Sequence, residues 1–203
     1  EARRHYERSL SAFLAAGDER GCAIAYHNLG MVSADHGDWT EAERHLDHSR
    51  EMAARLGDVR LEGLARLNGA EVRLALGDPE RALAEATAAL RVFTGLRSEM
   101  DKADAYRVLG AAYRRAGQRH LAEARLTDAV RLSEGAGAAL SQAEAIRELA
   151  LLYYDQGRNL EALGHLTQAH RLFSRLSARR ELVDVDTKVR SLEDTYLAVV
   201  KDW

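Results

Sequence analysis

One cysteine in 203 residues removes a class of protein at once: with Cys22 alone, no intrachain disulfide can staple a small scaffold. No apolar run is long enough for a signal peptide or a membrane helix, so a cytoplasmic domain with no membrane partner is expected. Charge of one sign is scarce as well. The formal net charge is −3, and the basic residues are spread singly along the chain, which argues against a phosphate-binding surface and hence against nucleic acid. Lysine occurs only at positions 102, 188 and 201. That arginine bias fits a GC-rich bacterial genome and says nothing of function. Nor does any segment alternate apolar and polar residues as a half-buried strand would.

What the chain does have is a period. Gly37, Gly77, Gly117 and Gly157 stand forty residues apart, as do Ala25, Ala65, Ala105 and Ala145, and again Ala42, Ala82, Ala122 and Ala162. A bulkier column holds Phe13, Ala53, Phe93, Ser133 and Phe173. Unbroken columns without insertion or deletion mark a repeat architecture.

Within each unit the apolar residues recur at three and four, so the repeated object is a pair of helices. In the third unit Ala105, Tyr106, Leu109, Tyr113 and Ala116 form one stripe that stops at Gly117, and Leu121, Ala122, Leu126, Ala129, Val130 and Leu132 form the next. Asp78 can cap a helix whose first turn holds Pro79. Asp38 and Glu41 have the spacing of a capping box. The fold expected is all-α: a right-handed superhelical solenoid of antiparallel helix pairs, about ten helices, in which Gly30, Gly110 and Ala150 are small so that neighbouring helices can cross closely. Residues 1–180 make the solenoid, starting mid-repeat with units at about 19–58, 59–98, 99–138 and 139–180, and residues 181–203 make a capping or linker helix. The chain reads as a fragment of a longer protein.

Each unit resembles a tetratricopeptide repeat. Tyr106, Leu109, Gly110, Tyr113, Ala122 and Leu126 fill that pattern in order, and Ile146, Leu149, Ala150, Tyr153, Ala162 and Leu166 nearly repeat it. The first unit matches through Tyr26, Leu29, Gly30, Ala42 and Leu46, with Ser33 replacing a tyrosine. The second departs most, with Arg66 and Arg73 where the pattern has bulk. The family's repeat is shorter, so these helices are longer, and its closing proline is absent here.

The resemblance implies a concave groove lined by the first helix of every unit, binding a peptide or a partner protein. Mapped onto this sequence, that groove takes His27, Asn28 and Met31, then Leu64, Leu67, Asn68 and Glu71, then Arg107 and Arg114, then Arg147 and Tyr154. Asn28 and Asn68 would hold the backbone of an extended peptide through their paired donor and acceptor, or else bond a neighbouring helix. Leu64 and Leu67 would supply an apolar anchor. Arg107, Arg114 and Arg147 would receive acidic residues of a partner, unless Glu144 and Glu148 neutralise them internally. The carboxylate clamp of chaperone-binding members is not expected, because its positions hold His27, Met31 and Asp104.

No catalytic residue, metal ligand or cofactor is expected. His45 and His48 flank Asp47 as in a metal corner but read as exposed histidines, and no second ligand cluster accompanies them. Asp184 and Asp186 point apart on a helix. Cys22 reads as buried filler, not a nucleophile. Gly135 and Gly137 lie in a loosely phosphate-loop-like run with no strand before it, and read as a turn.

The last segment carries Leu182, Val185, Val189, Leu192, Tyr196, Val199 and Trp203 at alternating spacings of three and four. That stripe suits a capping helix laid on its predecessor, or the seam of a homodimeric coiled-coil linker. The stretch Leu192–Trp203 also resembles the linker that joins such repeats to HD-GYP phosphodiesterases acting on cyclic di-GMP, which implies a sensory fragment. A stand-alone scaffold or adaptor is the other reading.

Overall fold

The computed structural model describes the backbone of residues 1–201 and side chains as far as Ser191. Ten helices follow one another: α1 (Ala2–Ala16), α2 (Glu19–Asp35), α3 (Trp39–Leu56), α4 (Val59–Ala75), α5 (Pro79–Gly95), α6 (Glu99–Arg115), α7 (Arg119–Gly135), α8 (Ala139–Asp155), α9 (Asn159–Leu176) and α10 (Arg179–Lys201). No strand occurs among the described residues. The helices form two compact units, Glu1–Asp101 and the residues from Lys102 on. Within each, consecutive helices pair antiparallel: α1 to α5 each pack on the next in the first unit, and α7 to α10 in the second.

The links between helices are only two or three residues long, and one backbone solution closes every one of them. Positions 17, 37, 57, 77, 97, 117, 137, 157 and 177 all have positive φ. Seven are glycine, as the left-handed conformation favours; Arg97 (φ 54°) and Ser177 (φ 55°) adopt it with a side chain attached. Three helix starts, those of α2, α4 and α5, are fixed by aspartates. Asp18, Asp58 and Asp78 each accept from the backbone amide three residues on, at 2.8, 3.1 and 3.1 Å, and Pro79 opens α5.

The capping box expected at Asp38 and Glu41 does not form. Asp38 makes no side-chain cap bond, because Arg3 on α1 draws both carboxylates, Asp38 at 3.3 Å and Glu41 more closely. A guanidinium with several donors outcompetes single backbone amides for two nearby anions.

The small columns are the core. Ala42, Ala82, Ala122 and Ala162 are fully buried, as are Ala53, Phe93, Ser133 and Phe173 in the mixed column. Size is compensated locally. Gly63 lets Phe93 approach so closely that a Cβ there would stand 2.9 Å from its ring, whereas Ala53 is matched by Leu61 in a cluster with Ala23. Ser133 satisfies its hydroxyl by donating to the carbonyl of Ala129 at 2.8 Å, which lets a polar residue sit in the column at little cost.

The second repeat, which departs most from the pattern, replaces aromatic packing by ion pairs. Arg73 reaches Glu43 at 3.3 Å and Asp47 at 3.1 Å on α3. Tyr153, one column-mate of Arg73, donates to Glu123 on α7 at 2.9 Å. Both residues reach back thirty positions to a glutamate, so the helix contact survives a change of chemistry.

In the second unit Val185 of α10 is buried within the core cluster that holds Leu149, Leu166 and Phe173, and Leu182 and Val189 pack against it. The apolar stripe of α10 is thus laid on its own unit over these three residues. Val185 is spent in that core, whereas Leu182 and Val189 stay half-buried.

Candidate functional site

In the first unit the face built by α2 and α4 brings five polar or flexible side chains to a half-buried position: His27, Asn28, Met31, Asn68 and Glu71. The two helices touch directly. Asn68 Nδ2 lies 2.9 Å from His27 Nε2. With the amide nitrogen donating, His27 accepts and is the neutral imidazole. Burial pushes its pKa below the usual histidine value, and the Asn28 side chain, hydrogen-bonded to it, pulls weakly the other way. His27 therefore ties the two asparagines into one polar strip. Asn68 bonds a neighbouring helix, and its carbonyl oxygen keeps acceptor capacity for another donor.

Leu64 is half-buried on the same face. Leu67, expected beside it as an anchor, is 4% exposed and belongs to the core. The reason is the angle between them: positions three apart on a helix differ by about 60° in direction, enough to turn Leu67 inward while Leu64 stays at the edge.

In the second unit the face of α6 and α8 is a ladder of ion pairs. Arg107 Nε stands 3.3 Å from Glu144. Arg114 holds Asp155 at 2.7 Å and Glu148 at 3.3 Å. Arg147 approaches Glu148 at 3.6 Å and Asp184 of α10 at 3.9 Å. Burial lowers the pKa of the Arg114 guanidinium, and the carboxylates of Glu148 and Asp155 more than offset it, so the net shift is upward. For Arg107 and Arg114 internal pairing is the fate seen, whereas Arg147 stands farther from both of its carboxylates. Tyr154 lies at the end of this face with Lys188 Nζ 3.6 Å from its ring centre, a cation–π contact.

His45 is not an exposed histidine: it is 7% exposed, with its ring 5.9 Å from that of Tyr26. His165, in the same column, also meets a tyrosine, stacking on Tyr153 at 5.3 Å, though that tyrosine belongs to a different column from Tyr26. His48 is exposed and donates from Nδ1 to the Arg44 carbonyl, 2.7 Å away. Among the described residues no three histidine, cysteine or acidic side chains gather as a metal site, and no helix is long and apolar enough to cross a membrane. Cys22 is buried, and burial raises its thiol pKa, the opposite of what a nucleophile needs. Asp184 and Asp186 do diverge, the first towards Arg147 and the second to His170 at 3.2 Å. Gly137 closes the α7–α8 turn. Side chains of Leu192, Tyr196, Val199 and Trp203, and with them the linker-like stretch, lie outside the described residues.

Paired helices of near-equal length from α2 to α9, left-handed turn residues and a glycine or alanine seat under each second helix define a helical repeat protein. The tetratricopeptide repeat family model matches residues 1–55. No curated protein matches the chain by sequence. A Rap protein solved in complex with Competence and Sporulation Factor shares the fold with a TM-score of 0.79 at 18% identity, over 90% of this chain and 51% of that one. Aspartyl phosphate phosphatase F from Bacillus subtilis gives 0.72 at 10% identity, over 93% and 50%. A STAND signal transduction ATPase with a tetratricopeptide repeat sensor, from Pyrococcus horikoshii, gives 0.65 at 15% identity, over 92% and 31%. The fold of the chain is that of a tetratricopeptide-type repeat. It spans about half the length of the Rap protein it resembles.

What sequence reasoning missed is the role of His27. Its position was assigned to the groove, but the hydrogen bond that couples it to Asn68 joins residues 41 apart. The only signal was the column spacing of Asn28 and Asn68, which puts the second asparagine one position beyond the histidine's own column.

Proposed function

We propose that the chain is a protein-interaction module that holds an extended segment of a partner on the face of α2 and α4. The observation that carries this reading is the strip Asn28–His27–Asn68. Amide groups held in place by a half-buried imidazole present donors and acceptors to a peptide backbone whatever its side chains are. Met31 and Leu64 beside them give a flexible apolar contact of the kind that adapts to different ligands. The fold shared with a Rap protein that was solved bound to Competence and Sporulation Factor supports a binding role for this architecture.

The test is a selection of random dodecapeptides displayed on phage against the whole chain, followed by titration of the enriched peptides. Binding should fall about tenfold or more in Asn68→Ala, on the scale of one lost hydrogen-bonding anchor, and again in Met31→Glu. Selected peptides that bind the Asn28→Ala/Asn68→Ala protein as well as the wild type would place the site elsewhere.

A further inference from the structure

We propose that the edge of the first unit formed by the α1–α2, α3–α4 and α5–α6 turns is a docking surface for an amphipathic helix of a partner protein, its apolar stripe laid along the turns and its carboxylates set against Arg55 and Arg97. Antiparallel pairing sends every second turn to the same edge, so these three lie in a row. Ion pairs between successive repeats hold them there. Arg20, at the start of α2, donates to Asp58 in the next turn at 3.1 Å, and Arg60, at the start of α4, grips both oxygens of Asp101 at 3.1 and 3.2 Å. Asp101, buried, also accepts from the Ser98 hydroxyl at 2.7 Å. The platform is fixed before anything binds it, which lowers the ordering cost of docking.

Surface turns are built mostly from polar residues, glycine and proline, yet this row is apolar. Leu14, Leu56, Val59, Leu96 and Met100 are between 40% and 58% exposed, and each stands within three residues of the left-handed position 17, 57 or 97. On the opposite edge of the same unit the exposed large apolar residues are Trp39 and Leu76. Large apolar residues scattered singly need no explanation, whereas a contiguous run of them marks an interaction surface. Neighbouring repeats stand roughly 10 Å apart, so three turns span about 20 Å, the length of an α-helix of about fourteen residues.

Charge sets the sign of the partner. Arg55 and Arg97 are exposed, and neither pairs with a carboxylate among the described residues. Arg97 is kept against strain, with φ 54° where Gly17 and Gly57 close the other two turns of the row. A cation complements the C-terminus of α5 equally well from inside the helix, where no such strain attends it, so the helix end does not account for an arginine in the turn. A strained side chain that touches no anion of its own chain points to a contact outside it. Glu19 is exposed at the α1–α2 end of the row, which places the partner's carboxylates at the other end. Anionic membranes are recognised by clusters of about four to eight basic residues, and two free arginines with a carboxylate in the same row fall short of that. A helix with leucine-like residues on one stripe and carboxylates at one end meets both demands, since arginine forks match carboxylates.

The whole chain is panned with displayed fourteen-residue peptides that carry leucine at i, i+4, i+7 and i+11 and alanine, glutamine, glutamate or lysine elsewhere, and the enriched peptides are titrated by fluorescence anisotropy. Glutamate should be enriched over lysine towards one end. Arg97→Gly should weaken binding about 3- to 10-fold, the scale of one charge-assisted contact, while its urea midpoint rises, a combination that misfolding cannot imitate. Val59→Asp and Met100→Glu place an acid where a first helical turn accepts one, and each should weaken the same peptides by at least ~10-fold. Ser177→Gly, the same backbone change in the second unit, should leave binding as it is. Lysine chosen as often as glutamate, or unchanged affinity in Arg97→Gly, would overturn the surface. So would binding lost in Asn28→Ala/Asn68→Ala, which would move these peptides to the α2–α4 face. Saturable binding to vesicles of phosphatidylcholine and phosphatidylserine, or a dimer in sedimentation velocity that Val59→Asp abolishes, would give the row to a membrane or to a second copy and overturn the helical partner. The α2–α4 reading does not depend on any of these outcomes, since it is tested by other residues and other peptides.

Discussion

Leu126 sits directly over Gly110, so that a Cβ built on the glycine would stand 2.5 Å from the leucine Cγ. The same seat recurs eighty positions earlier, where a Cβ on Gly30 would meet Leu46 at 2.6 Å. Helix crossing in both units is therefore set by the absence of one methyl group.

Gly110→Leu should cost about 1–3 kcal/mol, the usual range for forcing bulk into a packed core, and Gly110→Ala less. Differential scanning calorimetry would record this as a fall in Tm of about 2–4 °C per kcal/mol for a chain of this size. Leu126→Ala in the same molecule should relieve part of the Gly110→Ala penalty, since the two side chains share one space. An additive double mutant would mean that the glycine is not a seat for Leu126.

Arg97 and Ser177 adopt φ values of 54° and 55° at positions where the other turns have glycine. Replacing each by glycine removes the Cβ clash of the left-handed region, roughly 1–2 kcal/mol, against a larger entropy loss on folding of up to about 1 kcal/mol. A net gain of about 0.5–1 kcal/mol per site is expected in urea titrations. The same substitution at exposed Arg91, in mid-helix, should instead destabilise by about 1 kcal/mol.

Breaking the ladder of the second unit should matter more than breaking the network at Arg3. Arg114 and Glu148 have side chains 13% and 11% exposed, and removal of one partner from a pair that deeply buried costs about 3–5 kcal/mol. Arg114→Met should therefore lower the urea midpoint strongly, and Arg114→Met/Glu148→Leu should recover much of the loss. Arg3→Gln breaks contacts in which Arg3 is 38% exposed and should cost no more than about 1 kcal/mol.

Acidification should weaken the fold before any carboxylate titrates. His27, His45 and His165 all have pKa values held below the histidine value of 6.5, chiefly by burial. A histidine depressed in the folded state binds its proton more readily when unfolded, so stability is complete above the unfolded pKa and is lost as pH falls from there through the folded values. Tm measured between pH 7.5 and 5 should fall, and His27→Gln/His45→Gln/His165→Gln should flatten that slope. Glu41 and Glu161, whose pKa values are lowered by Arg3 and Arg158, contribute their loss only at lower pH.

The period, the helix pairs and the small seats were legible in the residues themselves, because a repeat writes the same packing demand many times and columns average out local exceptions. Gly30, Gly110 and Ala150 could be read as seats since their spacing matched Leu46, Leu126 and Leu166. The status of single residues on the faces was harder to read. Leu67 differs from Leu64 only by a turn angle, and its burial depends on neighbouring helices. His45 looked like a surface histidine in a charged helix until Tyr26 was found against it. Asp38 and Glu41 had capping-box spacing, yet an arginine 35 positions before Asp38 took both.

Sequence alone determined the architecture, since hydrophobic spacing, glycine turns and column sizes act within about forty residues and need no further information. Only the tertiary structure decided which polar groups remain available. Arg107 and Arg114 meet carboxylates on the following repeat, Asn68 meets His27, and Arg147 is left with two anions beyond hydrogen-bonding reach. Such pairings depend on distances of an ångström or less between side chains of different helices, and Coulomb and hydrogen-bond energies change steeply on that scale. A linear pattern of residue types does not encode them.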